Sequence, residues 1–132
     1  MALMTTARDV FQTAIHLMDE QNELTGSTQT VDTKEYEFRT LDILNVLRNE
    51  LWPISDTYEF GFDCPEIKTF EQPINLDPYS AQTIMPYGLA AHLLLGENDA
   101  MASFFNQRYQ ELIYKKMSKA TAQWVEIPDP WA

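Results

Sequence analysis

Residue types that commonly carry out chemistry are scarce in this chain. Its 132 residues include one cysteine, two histidines and four glycines. A single cysteine, Cys64, cannot form an internal disulfide, so the fold does not depend on oxidation. The glycines are scattered and form no phosphate-binding loop. His16 and His92 fall on different predicted helices, without the spaced second histidine that a zinc-binding helix face needs. These scarcities disfavour disulfide, nucleotide and zinc chemistry.

The sequence also lacks a recognisable catalytic arrangement. Cys64 precedes Pro65 in an irregular segment, with only Lys68 as a basic neighbour, so no partner base for the thiol can be identified. Close carboxylate pairs such as Asp19-Glu20 fall where a solvated helix face would place them. No nucleophile, base and oxyanion-stabilising group can be named together. The sequence therefore predicts a protein that is not an enzyme and that holds no cofactor or metal.

Basic residues and long apolar runs are scarce as well. Nine Lys and Arg stand against 20 Asp and Glu, a formal net charge of −11. Such a surface disfavours binding to nucleic acid or to anionic membrane through a basic patch. The longest apolar run, Tyr87 to Leu95, is interrupted by His92 and is much shorter than the roughly 20 residues that cross a bilayer. With no signal-peptide pattern at its start, the chain is expected to fold in a reducing cytoplasm.

What the chain does contain is the pattern of amphipathic helices. Hydrophobic residues make up 45% and charged residues 22%, which is typical of one globular domain, here 1–132. Capping signals begin four predicted helices, at Thr6 with Asp9, Asp32 with Glu35, Asp77 with Pro78, and Asn98 or Asp99. The apolar positions that indicate their buried faces are Val10, Phe11, Ala14, Ile15 and Met18; Leu41, Ile43, Leu44, Val46, Leu47 and Leu51; Ala81, Ile84, Met85, Leu89, Leu93 and Leu94; and Met101, Phe104, Phe105, Leu112, Ile113 and Met117. The positions of the second helix that are expected to be more exposed to solvent are Arg39, Asp42, Arg48 and Glu50.

Two segments lack helical periodicity. Residues 54–76 hold Gly61, two prolines and several aromatics, and indicate a protruding central loop, with a short hairpin around 57–62 as the alternative. Residues 121–132 contain two prolines and large apolar side chains, which indicate an extended C-terminal arm. Pro86 is expected to kink or break the third helix. The predicted fold is all-α: a small bundle of about four helices with a long central loop and an extended arm.

Aromatic side chains are frequent in these irregular segments. Tyr58, Phe60 and Phe62 fall in the central loop, and Trp124 and Trp131 fall in the arm. Either the loops pack back on the small core, or these rings are anchors for other subunits, because aromatic residues are enriched in interface hot spots.

One arginine of the fourth predicted helix is a further candidate for interaction. Arg108 stands among apolar residues, and it is expected to pair internally with Glu97 or Asp99 near the helix start. An inter-subunit salt bridge is the alternative.

Three stretches of unusual helix-packing sequence cover much of the chain. They are Thr40–Leu47 running into Glu50–Pro53, then Met85–Leu95, and then Gly96–Ala100 followed by Phe104–Glu111. Together with the first helix, they resemble the head–tail connector proteins, also called neck or adaptor proteins, of tailed bacteriophages and prophages. The Gly-Leu-Ala-Ala and Phe-Phe-x-x-Arg-Tyr pieces, in that order, are the most specific part of the resemblance. The central loop and the tail match loosely.

The resemblance implies a small α-helical subunit repeated around a ring, with no active site and no cofactor. Its partners would be other copies of the chain, the portal and tail-side neck proteins. DNA would pass through the channel without specific binding, and no membrane is involved. The expected location is the virion, after synthesis in the cytoplasm of the bacterial host.

The resemblance also gives the candidate aromatics a place. Tyr58, Phe60 and Phe62 would belong to an inter-subunit or portal-facing loop, and Trp124 and Trp131 to a tail arm. A second class of function stays open on composition alone: a small acidic cytoplasmic adaptor or regulator that binds one partner protein.

Overall fold

A computed structural model describes residues 4–21, 30–62 and 64–125 of this chain. Four α-helices account for most of them: α1 (Ala7–Gln21), α2 (Thr30–Leu51), α3 (Met85–Leu94) and α4 (Asp99–Val125). A 3₁₀ turn at Trp52–Ile54 follows α2, and a π-helical segment, Ser80–Ile84, leads into α3. The described ranges contain no β-strand, only an isolated bridge between Thr6 and Pro73. The predicted all-α bundle of about four helices is confirmed.

Helix α1 begins at the predicted capping box. The Thr6 backbone N–H donates to Asp9 Oδ2 at 3.0 Å, and the Asp9 N–H donates to Thr6 Oγ1 at 3.3 Å. The end of the central loop binds the same terminus, because the Arg8 N–H donates to the Phe70 carbonyl at 2.8 Å and the Ile74 N–H donates to the Thr5 carbonyl at 2.9 Å. The start of α1 is therefore tied both to its own cap and to the returning loop.

Helix α3 is the centre of the core. Eight of its ten residues are buried, and its neighbours α1, α2 and α4 all pack against it. Gly88 makes the closest approach: a Cβ at this position would lie 2.8 Å from Tyr109 Cε1 and 3.0 Å from Leu47 Cδ2. The absence of a side chain at Gly88 thus lets α3 pack closely against both α2 and α4.

Pro86 does not break the helix that contains it. The turn before it widens instead, as the Met85 N–H donates to the carbonyl of Ser80, five residues earlier, and α3 continues through Pro86 to Leu94. π-Helical turns occur mostly as single-turn insertions in α-helices, and proline cannot join the regular bonding pattern because it lacks a backbone N–H. Of the two predicted outcomes, the break does not occur and the kink stays a prediction; the hydrogen-bonding pattern changes just ahead of the proline.

Helix α2 buries Leu44, Leu47 and Leu51 as predicted. Two of its other assignments are wrong. Val46, expected in the buried arc, is 54% exposed, and Arg48, expected in a wetter position, is only 3% exposed. The buried face is therefore rotated toward Arg48, because the central loop packs on that side of the helix.

Helix α4 begins at the predicted cap, where the Met101 N–H donates to Asn98 Oδ1 at 3.2 Å. It buries Phe105 and Leu112 but leaves Phe104 and Met117 about half exposed. The helix runs to Val125, so the first five residues of the segment predicted as an arm, 121–125, are helical. The remainder of the predicted arm, 126–132, lies outside the described residues.

The contacts define two ends of the bundle. At one end, the Tyr36 hydroxyl of α2 donates to the Glu97 carboxylate at 2.9 Å, next to the start of α4. At the other end, Lys116 of α4 reaches Asp56 and Asp77, both at 3.3 Å. The central loop leaves α2 at this second end.

A candidate protein-binding loop

The central loop is built from consecutive turns and not from a hairpin. The Tyr58 N–H donates to the Ser55 carbonyl and the Phe62 N–H to the Glu59 carbonyl, each at 3.1 Å. Gly61 has φ +79° and Phe60 does not have a positive φ, so the second turn is of type II, which needs glycine in its third position. No strand occurs between 57 and 62, so the central-loop prediction holds and its hairpin alternative does not.

The turns present three aromatic rings to solvent, and we call residues 58–62 the aromatic loop. Phe60, at the second position of the type II turn, is 94% exposed. Phe62 is 56% exposed and Tyr58 is 41% exposed. Tyr58 is partly supported by an edge-to-face contact with Trp52, at 5.5 Å between ring centroids. Exposure therefore rises from the base of the aromatic loop to its tip.

The part of the loop that follows the aromatic loop is held by three side chains. They belong to α2 and to the 3₁₀ turn after it. Asn45, Arg48 and Trp52 are spaced by three and four residues, which places them on one helix face. The Trp52 Nε1–H donates to the Phe62 carbonyl at 3.2 Å. Asn45 binds both backbone groups of Ile67, donating to its carbonyl at 2.9 Å and accepting from its N–H at 2.8 Å. We refer to these three side chains as the α2 clamp.

Arg48 is the buried centre of the α2 clamp. Its Nη1 donates to the Pro65 carbonyl, and its Nη2 donates to the Cys64 carbonyl at 3.3 Å. Among the described residues no carboxylate lies within ion-pairing distance of it, and its Nε–H has no hydrogen-bond partner. In the described part of the chain, backbone carbonyls are the groups that offset the charge of this buried cation. The guanidinium thus fixes the backbone of the loop at Cys64 and Pro65.

A second polar cluster fixes the other end of the loop. Asp77 is 4% exposed, and its carboxylate accepts from the hydroxyls of Ser55 and Ser80 and from the backbone N–H groups of Asp56 and Ser80, at 2.9–3.1 Å. Lys116 adds a cation at 3.3 Å. The two ends of the loop, at Ser55 and at Asp77, are thereby joined through one carboxylate.

The electrostatics of Asp77 follow from this cluster. Burial acts to raise the pKa of its carboxyl, but the hydrogen bonds from the Ser80 and Asp56 N–H groups and from the two serine hydroxyls outweigh burial. The net effect lowers the pKa of Asp77 below its ordinary value. The carboxylate that closes the loop is therefore held in its ionised form.

The structure does not bring Arg108 to the partners that the sequence indicated. Its Nη1 lies 3.4 Å from Glu111 Oε2, and its guanidinium stacks over the Tyr87 ring at 5.9 Å. Arg108 is exposed on α4, while Glu97 instead accepts from Tyr36 and Asp99 accepts from the Gly96 N–H. The expected internal pair with Glu97 or Asp99 is wrong. The inter-subunit salt bridge stays a prediction.

The other candidate residues divide by location. Tyr58, Phe60 and Phe62 come together in the aromatic loop, far along the chain from Arg108. Trp124 lies within the range of α4, and its side chain is outside the described residues, as is Trp131. The α2 clamp was missed by sequence reasoning, although the spacing of Asn45, Arg48 and Trp52 on one helix face was a signal for it.

Among the clefts lined by the described residues, two are open grooves at the side of the bundle. One, of about 480 Å³, lies between α3 and α4 and is lined by residues such as Ala91, His92 and Leu95. The other, of about 470 Å³, lies beside the α2 clamp and includes Cys64, whose Sγ accepts a hydrogen bond from Asn75 at 3.6 Å. The lining of neither cleft combines a nucleophile with a base hydrogen-bonded to it. Within the described ranges no group of three or more His, Cys, Asp or Glu could hold a metal ion.

The fold and the site together define a helical domain that presents a clamped aromatic loop. No helix in the described part of the chain is both long and apolar enough to span a membrane. No protein-family model matches this chain, and comparisons with curated proteins and with solved structures found no match.

Proposed function

We propose that this chain is a structural subunit of a phage particle, a head–tail connector that assembles as a ring between portal and tail. It acts by binding other proteins and not by catalysis. Its partners are other copies of the chain, the portal and tail-side neck proteins, and it works in the virion after synthesis in the host cytoplasm. The resemblance of the helix-packing stretches supports this class. The acidic surface suits a channel through which DNA slides without sticking.

The observation that carries a binding role is the aromatic loop. An exposed phenylalanine is ordinary when it stands alone. Here Phe60 stands at the apex of a turn that requires Gly61, and the α2 clamp fixes the chain that follows it. A rigid loop loses little conformational freedom on binding, so its aromatic side chains can contribute most of their burial to affinity.

Quantitative mass spectrometry of purified phage particles, after induction of any prophage in the source organism, tests the proposed class. A copy number that fits one symmetric ring is the expected result. Presence of the chain in the lysate together with its absence from intact particles would overturn the connector proposal. A stable one-to-one complex with a soluble protein would then favour the cytoplasmic adaptor.

A matched pair of variants tests the part played by the loop. Phe60→Ala is expected to reduce incorporation of the chain into particles about tenfold, as loss of an interface anchor does. Phe38→Ala is the control, because Phe38 is 86% exposed but lies on α2, about 20 Å along the helix from Trp52 at 1.5 Å per residue. If Phe60→Ala is incorporated as well as both Phe38→Ala and the parent chain, the aromatic loop is not the binding surface.

A further inference from the structure

The surroundings of the aromatic loop carry charge of one sign. Between residues 55 and 67 the sequence has no Lys, Arg or His, and its acidic residues are Asp56, Glu59, Asp63 and Glu66. Glu59 and Glu66 are exposed, and neither forms an ion pair in the part of the chain that the structure describes. The Asp56 side chain remains 80% exposed even with Lys116 at 3.3 Å. Carboxylates therefore flank the exposed rings along the chain, and we call Glu59 and Glu66 the carboxylate rim.

The nearby cations do not neutralise this surface, and the exposed Lys68, two residues after Glu66, forms no ion pair with it among the described residues. Arg48 is 3% exposed and is occupied by loop carbonyls, and the Lys116 side chain is 12% exposed and is held between Asp56 and Asp77. Both cations act on the base of the loop and not on its tip. The tip is thus an apolar surface with a negative rim.

We propose that the aromatic loop docks on a partner protein whose surface combines an apolar pocket with surrounding Lys or Arg side chains. Phe60 enters the pocket, and Glu59 and Glu66 pair with the cations at its edge. Complementary potentials of this kind speed association and select among partners. This inference rests on the proposed binding function and specifies the chemistry of the partner.

Charge also argues against other occupants. At the loop tip itself, a second copy of this chain, with a net charge of −11, is a less favourable occupant than a basic surface, so contacts between copies in a ring would use other surfaces. Nucleic acid would bring phosphates against the carboxylate rim. A lipid surface could accept Phe60, but its headgroup region would have to accommodate Glu59 at the next position. A protein surface with an apolar pocket and surrounding cations can bind both the Phe60 ring and the carboxylates of Glu59 and Glu66.

Two synthetic peptides can probe this preference directly. One is a 14-residue amphipathic helix of Leu and Lys, and the other has Glu in place of every Lys. Fluorescence anisotropy with the full chain is expected to give at least about tenfold tighter binding of the Lys peptide, weakening as salt is raised. Phe60→Ala is expected to weaken that binding about fivefold, while Phe38→Ala changes it less than about twofold. Equal affinity for the two peptides, or no effect of Phe60→Ala, would overturn the proposal.

A charge-matched control tests whether the general acidity of the chain, and not the aromatic loop, explains the binding of the Lys peptide. Glu59→Gln with Glu66→Gln and Glu35→Gln with Asp42→Asn each remove two exposed negative charges. The loop pair is expected to weaken binding of the Lys peptide about fivefold and to flatten its salt dependence, and the α2 pair less than about twofold. Equal effects of the two double variants would mean that net charge, not the loop, attracts the peptide, and would overturn the proposal. Circular dichroism confirms that each variant is folded.

A lipid occupant is tested separately. Sedimentation with neutral phosphatidylcholine vesicles is expected to leave the chain in solution, and Phe60-dependent binding to them would overturn the protein-docking proposal. The peptide-binding experiments and the mass spectrometry of particles test different proposals. A ring in the virion without preference for the Lys peptide refutes only the partner chemistry, whereas the preference without the ring refutes only the connector class.

Discussion

Helix α3 and the central loop are held in place by different forces. In α3, eight of ten residues are buried, and the helix is fixed by the apolar side chains packed around it. In the loop, few side chains are buried, and its backbone is fixed by polar groups of Asn45, Arg48 and Asp77. The core and the candidate site are therefore held by different kinds of contact, although Ile67 and Ile74 of the loop also join the core.

The largest effect is expected in the core. Leu89 of α3 is fully buried, so Leu89→Ala should lower the free energy of unfolding by about 3 kcal/mol, through lost apolar burial and the cavity left behind. Urea denaturation measures this change. Leu95→Ala is the control at the residue that directly follows α3, where a 67% exposed side chain should give a change below about 0.5 kcal/mol. Similar losses in the two variants would contradict the central position of α3.

The second expected effect belongs to the α2 clamp. Asn45→Ala removes the partners of both backbone groups of Ile67, which is 2% exposed, and should lower the free energy of unfolding by about 2 kcal/mol. Amide hydrogen exchange should become faster at Ile67 while the amide of Leu89 stays protected up to global unfolding. Asn49→Ala, at an exposed position of the same helix, is the control. Unchanged exchange at Ile67 would mean that the clamp does not hold the loop.

The difference between core and loop also explains what the sequence could predict. Local signals located the helices, since capping pairs such as Thr6 with Asp9 and Asn98 with Met101 act within a few residues. A protruding central loop was likewise predicted from Gly61 and the irregular sequence around it, whereas packing of its aromatics on the core was left open as an alternative to their exposure. The burial of Arg48 could not be predicted in the same way. Its partners, the Cys64 and Pro65 carbonyls, are 16 and 17 residues away and become acceptors only once the loop has folded back.

A third expected effect is a pH dependence of the free energy of unfolding that arises from Asp77. The pKa of Asp77 is lowered in the folded protein, because hydrogen bonds from Ser80, Asp56 and Ser55 outweigh the opposing effect of burial. A lowered carboxyl pKa contributes stability above the unfolded-state pKa of about 3.9, and that contribution is lost as the pH falls through the folded-state value. Asp77→Asn should therefore lower the free energy of unfolding by about 1.5 kcal/mol at pH 7, since an amide cannot replace all of these acceptors.

The pH dependence of that difference is the sharper measurement. Urea denaturation of the parent and of Asp77→Asn at pH 7, 5 and 3 should give two stabilities that converge as the pH falls below about 4. Asp42→Asn, at an exposed site on α2, is the control and should follow the parent throughout. A constant difference between the parent and Asp77→Asn across this range would show that the ionised carboxylate does not stabilise the loop.

The smallest expected effect is at the tip, where the loop is least supported by the rest of the molecule. Gly61 has φ +79°, and a Cβ there would meet nothing within 4 Å, so backbone conformation and not space requires glycine. Gly61→Ala should lower the free energy of unfolding by about 1 kcal/mol and speed exchange of the Phe62 amide, which closes the type II turn. Gly61→Asn should lose less, because asparagine tolerates positive φ better than alanine. If alanine and asparagine proved equivalent to glycine here, Phe60 would be exposed by a turn that does not depend on its sequence. The loop could then no longer be regarded as built to present that ring.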